Sequence, residues 1–275
     1  MMCRAAVPAL VLLLAAIPAR SATVTGVPVE GGLLFLESAP GTTATLDGKP
    51  VPVAQDGSFV IGFHRDSPGT VVLRIREPGV DELRMELQVA QREYAEQRID
   101  GLPSNLVTPP TEVLQRIRNE AARVREARAA PVMTPHYLNG FEWPAEGCIT
   151  GVYGTRRILN GEPRQPHYGI DLAAPRGATV RAAGDGVVVM AERDLYYSGG
   201  TLIIAHGQGL TSTYLHLSSM SVARGDRVRK GDPVATVGST GRSTGPHLDW
   251  RFNWQDARID PELVVAAGPD QRRCD

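Results

Sequence analysis

Turn-forming residues recur so often in this chain that they restrict it to short structural elements. Glycine and proline together account for 50 of its 275 residues (29 + 21). Between them lie short runs in which apolar and polar residues alternate, the period of strands that bury one face. The sequence therefore predicts a mainly β protein with few helices, long enough at 275 residues for two moderate domains.

Residues 24–90 have the pattern of a small β-sandwich. Four apolar runs, at 33–36, 59–63, 71–75 and 83–89, are separated by turn residues. The dipeptides Asp47-Gly48 and Asp56-Gly57 are typical of hairpin turns, because glycine adopts positive φ without strain. No combination of residues in this region indicates catalysis, and His64 stands alone in it.

Residues 91–140 predict a linker that contains one helix. The stretch is first polar and then proline-rich, and Thr111 follows Pro110 as a candidate helix N-cap. Apolar residues at helical spacing extend the predicted helix over 111–129. The apolar stripe is narrow, which favours a strut docked between two domains. Its members are Val113, Ile117, Ala121 and Val124.

Residues 1–21 have the features of a secretory signal peptide. Arg4 precedes an apolar run over 5–17, and a small-residue cleavage site ends before Ala22. An uncleaved membrane anchor is the alternative, but the run is short and Pro18 interrupts its end. We therefore expect an exported protein, most simply a periplasmic one, that meets the membrane only through the signal before cleavage.

Two cysteines, Cys148 and Cys274, remain once the predicted signal is removed. In an oxidising compartment a pair of cysteines suggests one disulfide, which here would tie residues 266–275, a predicted C-terminal tail, to the preceding domain. Two independent thiols are the alternative that the sequence leaves open.

Residues 141–265 predict an antiparallel β domain. Strand-like runs at 186–190, 201–205, 211–217 and 234–237 are bounded by glycine, aspartate or serine. Two segments, 176–185 and 224–232, share the same order of arginine, glycine and aspartate and suggest a duplicated β motif. The formal net charge of −1 offers no electrostatic basis for binding nucleic acid.

Histidines and carboxylates cluster in three short segments of this domain. His167 and Asp171 lie four residues apart, His216 ends the segment Tyr-Leu-His, and His247 precedes Asp249 by two residues. Alternate residues of a strand share a face, so His247 and Asp249 can face one cleft. His167 and Asp171 would need a bend, for which Gly169 is suited, to reach one metal ion. Of the other histidines, His64 is expected to be solvent-facing or packed, His136 to contact solvent and His206 to lie in a turn.

These segments resemble the three motifs of the lysostaphin-like (LytM-type) zinc metallopeptidases. The motifs are H-x-x-x-D, Y-x-H-L and G-x-H-L-H, matched here at 167–171, 214–217 and 245–249. The resemblance covers about residues 143–261. It implies a compact antiparallel β domain that cleaves peptide cross-links of peptidoglycan.

The resemblance also implies roles for individual residues. His167 and Asp171 would be ligands of Zn²⁺ or another divalent metal, and His216 and His247 would flank the catalytic water. The family's third ligand is a histidine, and Asp249 occupies that position here. Asp249 can ligate a metal through its carboxylate, or it can pair with Arg251, its neighbour on the same face of the strand.

Two functions follow from these alternatives. The first is an exported metallo-endopeptidase that acts on peptidoglycan stem peptides or cross-bridges. The second is a LytM-domain regulator without activity, which binds and activates other cell-wall hydrolases.

Overall fold

The computed structural model of the protein describes residues 22–101, 108–265 and Cys274. Strands dominate the described part, as the turn-rich sequence predicts. No helix within these residues is both long enough and apolar enough to cross a membrane. The predicted signal peptide and all of the predicted tail except Cys274 fall outside the described residues.

The N-terminal region consists of two antiparallel sheets. The four apolar runs singled out in the sequence all form strands, and their side chains supply the core residues Phe59, Leu73 and Ile75. A sandwich arrangement of the two sheets stays a prediction. The first sheet has the order β1-β2-β5 and the second β4-β3-β6-β7. The strands are β1 (Thr23–Gly26), β2 (Leu33–Glu37), β3 (Thr43–Leu46), β4 (Lys49–Val51), β5 (Ser58–Gly62), β6 (Thr70–Arg76) and β7 (Leu83–Gln88).

The predicted hairpin turn at Asp47-Gly48 is confirmed. The two residues have φ of 47° and 77° and join β3 to β4, whose ends Leu46 and Lys49 face each other. Two successive residues at positive φ match the right-handed twist of the strands they connect. Asparagine, aspartate and glycine tolerate this conformation best, which explains the dipeptide.

The C-terminal region is built on one large sheet and two smaller ones. The large sheet has eight strands in the order β18-β14-β15-β16-β20-β12-β9, with β21 paired to β20, and one small sheet has the order β13-β19-β17. Trp250, Tyr214 and Phe252, which belong to strands of the large sheet, are fully buried. The elements of the whole C-terminal region are β9 (Cys148–Gly151), β10 (Arg156–Leu159), β11 (Glu162–Arg164), β12 (Ile170–Ala173), β13 (Thr179–Arg181), β14 (Gly186–Leu195), β15 (Gly199–Gly207), β16 (Leu210–Leu217), β17 (Ser219–Met220), β18 (Arg227–Val228), β19 (Pro233–Thr236), β20 (His247–Trp254) and β21 (Ala257–Ile259), followed by a short helix, Pro261–Val264.

The two copies of the suggested β motif begin alike but end in different sheets. Gly177 and Gly225 both adopt positive φ, 89° and 100°, just before a short strand. The first of these strands, β13, pairs with β19, whereas the second, β18, pairs with β14.

The predicted linker contributes a strand that the sequence did not reveal. β8 (Glu96–Ile99) runs parallel to β10 and completes the second small sheet, in the order β11-β10-β8. The register places Gln97 beside Arg157. The segment between the two regions is therefore docked along the C-terminal region.

The predicted helix is present as α1 (Thr111–Arg128). Thr111 is its first helical residue and Pro110 occupies the N-cap without a side-chain hydrogen bond, so the N-cap prediction is wrong by one position. Arg116 and Glu120 form an i,i+4 ion pair at 2.6 Å. One side of the helix packs on β14 and β15. The apolar cluster there comprises Val124, Ala127, Val189, Met190, Leu195, Ile203 and Ala205.

Cys148 and Cys274 form a disulfide, with a Cα–Cα distance of 5.2 Å. The Cys274 N–H also donates to the carbonyl of Ile149, 3.1 Å away. Of the two alternatives that the sequence left open, the paired one is confirmed.

Polar contacts join the two regions. Gln208 donates from Nε2 to the carbonyl of Ser58 at 2.9 Å, and Arg92, at the start of the linker, pairs with Asp260 at 2.8 Å. Apolar residues of both regions also form one continuous buried cluster. The N-terminal region is thus packed against the C-terminal sheet.

Candidate active site

Three adjacent strands bring four of the five predicted site residues to one place, and the fifth, His167, lies in the loop that leads into β12. β12 and β20 are antiparallel neighbours, and Asp171 lies directly opposite Asp249. β16 lies on the other side of β20, where Leu215 is opposite Asp249 and His216 follows. His247 begins β20. Residues far apart in the chain therefore meet because sheet register places them side by side.

His167 and Asp171 meet through the predicted bend. The Nε2 atom of His167 and the Oδ1 atom of Asp171 lie 3.1 Å apart, and the His167 side chain is fully buried. Neither atom has a hydrogen-bond partner in the part of the chain that the structure covers. Buried polar atoms without hydrogen bonds are costly, and these two are close enough to bind one cation together.

Gly169 is required for space and not for unusual φ. A Cβ atom there would stand 2.5 Å from both Cγ of Arg251 and the carbonyl oxygen of Trp250. Gly151 is restricted in the same way, since its Cβ would lie 2.2 Å from Oδ2 of Asp171. Both glycines allow the backbone to approach the site closely.

His216 and His247 are held with the same ring nitrogen facing the cleft. Nδ1 of His216 lies 2.7 Å from the carbonyl of Thr240, and Nδ1 of His247 lies 2.8 Å from that of Gly245. A carbonyl oxygen only accepts, so each Nδ1 carries a proton and each Nε2 of a neutral ring is a free base. The ring centroids are 4.8 Å apart, and Nε2 of His247 is 3.9 Å from Oδ1 of Asp171.

The surroundings of His216 favour its neutral form. Burial lowers its pKa, and the neighbouring His247 acts in the same direction, while Asp249 opposes them. His216 also has φ of 61°, in the left-handed region, which turns the chain at the end of β16. A neutral imidazole with a free Nε2 is suited to accept a proton.

Two arginines pair with the two carboxylates. Arg251 donates to both oxygens of Asp249, at 2.7 and 2.5 Å, and the Asp249 side chain is only 3% exposed. Arg157 donates to Oδ2 of Asp171 at 3.0 Å and leaves Oδ1 free. The ion pair that the sequence suggested for Asp249 is thus present, whereas the Arg157 contact was missed because nothing in the local sequence indicates it.

These contacts keep both carboxylates ionised. Burial would raise the pKa of Asp249, but the Arg251 guanidinium holds that pKa far below its usual range. Burial would also raise the pKa of Asp171, but the attraction of His167 and, to a smaller extent, of Arg157 outweighs burial and lowers this pKa.

The geometry of the donors fits a divalent cation. Tetrahedral zinc ligands lie roughly 3.4 Å apart, given bonds of about 2.0–2.2 Å, and the His167–Asp171 separation of 3.1 Å agrees with this. Ligand atoms of His167, Asp171 and Asp249 all lie within 4.8 Å of one another. The charge is already balanced, however, because Arg157 and Arg251 match the two carboxylates. A cation would have to share Asp249 with Arg251, which should lower its affinity.

His206 lies away from this cluster and is not the turn residue expected from sequence. It is fully buried in β15, with Nδ1 2.6 Å from the carbonyl of Asp185 and Nε2 2.8 Å from Oγ of Ser212. Burial lowers its pKa to about 4. Both ring nitrogens are occupied, so its role is structural.

The antiparallel sheet thus brings a buried His/Asp pair and two further imidazoles close together, the types of side chain that a metallopeptidase site requires. Residues 165–261 match the model of peptidase family M23. The C-terminal domain is therefore an M23 domain of the LytM type, as the sequence motifs predicted.

Relatives and solved structures agree with this assignment. DD-carboxypeptidase/endopeptidase Mpg of Neisseria meningitidis is 42% identical over 109 residues, which cover 40% of this chain and 25% of that protein. Peptidoglycan DD-endopeptidase ShyA of Vibrio cholerae is 46% identical over 87 residues, covering 32% and 20%. The chain thus spans only a quarter or less of these relatives.

A crystal structure of a candidate M23 peptidase from Pseudomonas aeruginosa is similar over more of the chain. It has a TM-score of 0.68 and 28% identity, and the match covers 88% of this chain and 96% of that one. The similarity therefore extends through the N-terminal region and not only over the M23 domain.

Proposed function

We propose that the protein is an exported, periplasmic metallo-endopeptidase that hydrolyses peptide bonds of peptidoglycan. One observation carries the proposal: His167 Nε2 and Asp171 Oδ1 are buried, 3.1 Å apart and without partners, beside two imidazoles whose Nε2 atoms are free. Such an arrangement serves metal-assisted hydrolysis better than it serves stability, since orphaned buried polar atoms destabilise a fold.

Each site residue has a distinct role in this proposal. His167, Asp171 and Asp249 would hold a divalent cation, Zn²⁺ by the nature of the donors, and Arg157 would orient Asp171. Bound there, the cation would supply Lewis-acid polarisation of a peptide carbonyl and a lower pKa for water. His216 Nε2, on a neutral ring, would accept a proton from the attacking water. His247 Nε2 would donate a hydrogen bond to the developing oxyanion when its ring is protonated, or pass a proton to the leaving amine.

Peptidoglycan is proposed as the substrate because of the relatives. Mpg and ShyA bear names that specify DD-endopeptidase activity, and ShyA's name specifies peptidoglycan. The motif residues lie within the 97 residues of the M23 match, 165–261. We infer the same class of substrate here, in the form of stem peptides or cross-bridges.

The test is digestion of purified sacculi with the metal content of the protein measured in parallel. We expect new free amines and smaller muropeptides, loss of both with EDTA, and recovery on adding Zn²⁺. His167→Ala and His216→Ala should each reduce the rate at least about 100-fold, the usual scale of general-base catalysis. His136→Ala is the matched control, since His136 lies outside the site. Absence of amine release together with absence of bound metal would refute the proposal.

A second function, a regulator without activity, is favoured by the Arg251 contact. Arg251 occupies both oxygens of Asp249, and a buried pair of this kind satisfies the charge of the third ligand position without a metal. In this alternative the domain would bind and activate other cell-wall hydrolases. Stimulation of a purified hydrolase that persists in His167→Ala would support the regulator, whereas sacculus digestion that disappears in His167→Ala would support the enzyme.

A further inference from the structure

A cavity of about 760 Å³ lies between α1 and the face of the sheet that carries the site. Ile117, Ala121 and Val124 line it from the helix, and Thr213 and Leu215 line it from β16. Leu215 is opposite Asp249 in the sheet, and Thr213 is opposite Arg251. The size is that of pockets that hold small ligands.

The cavity adjoins the catalytic cluster through Arg251. Residues 247, 249, 251 and 253 alternate on one face of β20, so Arg251 and Asn253 share a face with His247 and Asp249. Arg251 and Asn253 line the cavity, while Asp249 pairs with Arg251 at its edge. Arg251 therefore lines the cavity and also contacts the Asp249 carboxylate of the catalytic cluster.

Four arginines give this cavity a positive lining: Arg125 and Arg128 from α1, Arg251 from β20 and Arg258 from β21. Only Arg251 has a carboxylate within 4.0 Å among the residues that the structure describes. Arg258 donates weakly to Asn253, at 3.4 Å, and stacks on the ring of Tyr168. Of the other acidic residues of the lining, Glu120 pairs with Arg116. Asp256, on an exposed turn, attracts Arg128 and Arg258 but forms no ion pair within 4.0 Å with any residue that the structure describes.

Donor groups in the cavity lack partners. Nε of Arg128 and Oγ1 of Thr213 are both buried and have no hydrogen bond within the described chain. Burial lowers the pKa of Arg128, and the charges of Arg258 and Arg251 lower it further, while the smaller effect of Asp256 raises it. An anion bound among them would satisfy both the charge and the free donors.

We propose that this cavity is a subsite for the carboxylate of a peptide with small aliphatic side chains, bound mainly by Arg128 and Arg258. The carboxylate follows from the unpaired guanidinium groups, since arginine binds planar anions through paired hydrogen bonds. The small aliphatic character follows from the alanine and valine of the helix wall. Because the subsite concerns which peptides the enzyme would bind, this inference rests on the proposed function.

The test is a titration of the full chain, purified after export, with N-acetyl-D-alanyl-D-alanine and with the amide of the same dipeptide. EDTA is present throughout, so that no hydrolysis contributes. We expect the acid to bind at least about tenfold more tightly than the amide, the scale of a charge-assisted hydrogen bond. Arg128→Gln should remove this preference. Arg118→Gln, an exposed arginine on the same helix, is the matched control and should leave binding unchanged.

The outcomes separate this inference from the proposed function. Equal binding of acid and amide, or no binding at millimolar concentration, overturns the subsite even if sacculi are digested. Preferential binding of the acid that Arg128→Gln abolishes supports the subsite even if no bond is cleaved. Circular dichroism reports the folding of each variant, and Arg258→Gln replaces Arg128→Gln if the latter does not fold.

Discussion

Removing the charge of Arg251 tests whether the guanidinium stands in for a metal. In Arg251→Gln, Asp249 keeps one possible hydrogen-bond donor but loses its counter-ion at the 2.5–2.7 Å contacts. Because the Asp249 side chain is 3% exposed, the charge cannot simply become hydrated. Breaking a buried pair on one side typically costs about 3–5 kcal/mol in free energy of unfolding.

A divalent cation should recover much of this loss. If it fully replaced the guanidinium, its affinity would rise by the same free energy, about two to four orders of magnitude at roughly 1.4 kcal/mol per decade. We expect a gain of at least about tenfold after relaxation of the site.

The measurements are urea unfolding with and without EDTA, and competition for Zn²⁺ against a chromophoric chelator. Arg118→Gln serves as the control for loss of an arginine. Unchanged stability without metal, or Zn²⁺ binding no tighter than in the wild type, would refute the reasoning.

Three further predictions concern the rest of the domain. The double variant Asp249→His/Arg251→Gln restores the two-histidine ligand set, and we expect it to release amines from sacculi at least about tenfold faster than the wild type; an equal rate would show that Asp249 does not limit catalysis. His206 has a pKa of about 4 in the folded state against 6.5 in the unfolded state, so its contribution to stability is full above pH 6.5 and is lost as the pH falls to 4. The free energy of unfolding, measured with urea, should fall by about 3 kcal/mol over that range. The fall should be smaller in His206→Gln, which cannot titrate. Reducing the Cys148–Cys274 disulfide, which spans 126 residues, should lower the free energy of unfolding by roughly 2–5 kcal/mol, and the double serine variant should show no effect of reductant.

The strands and the helix were predictable where local pattern and packing agree. The runs that became β6 and β7 alternate in polarity, those that became β2 and β5 are almost continuously apolar, and Asp47-Gly48 supplies the turn that its φ values require. β8 was not predictable, because its residues are polar and it is stabilised by pairing with β10, far along the chain. A strand whose partner lies elsewhere leaves little trace in its own sequence.

The site shows the same division. His167, Asp171, His216, His247 and Asp249 were identified from spacing and resemblance, and the sheet register brings them together. Their catalytic and ligand roles stay predictions. Arg157 was not singled out as part of the site, since its contact with Asp171 depends on how β10 lies beside β12. The sequence likewise could not decide whether Asp249 pairs with Arg251 or ligates a metal, because that depends on side-chain geometry.

The docking of β8 makes the N-terminal region and the site mechanically dependent on each other. The chain leaves the N-terminal sheets through β8, which runs along β10 with Gln97 beside Arg157. Movement of the N-terminal region away from the cleft would first require the pairing between β8 and β10 to break. The strand left exposed is the one whose Arg157 reaches Asp171, so domain separation would loosen a support of the site itself.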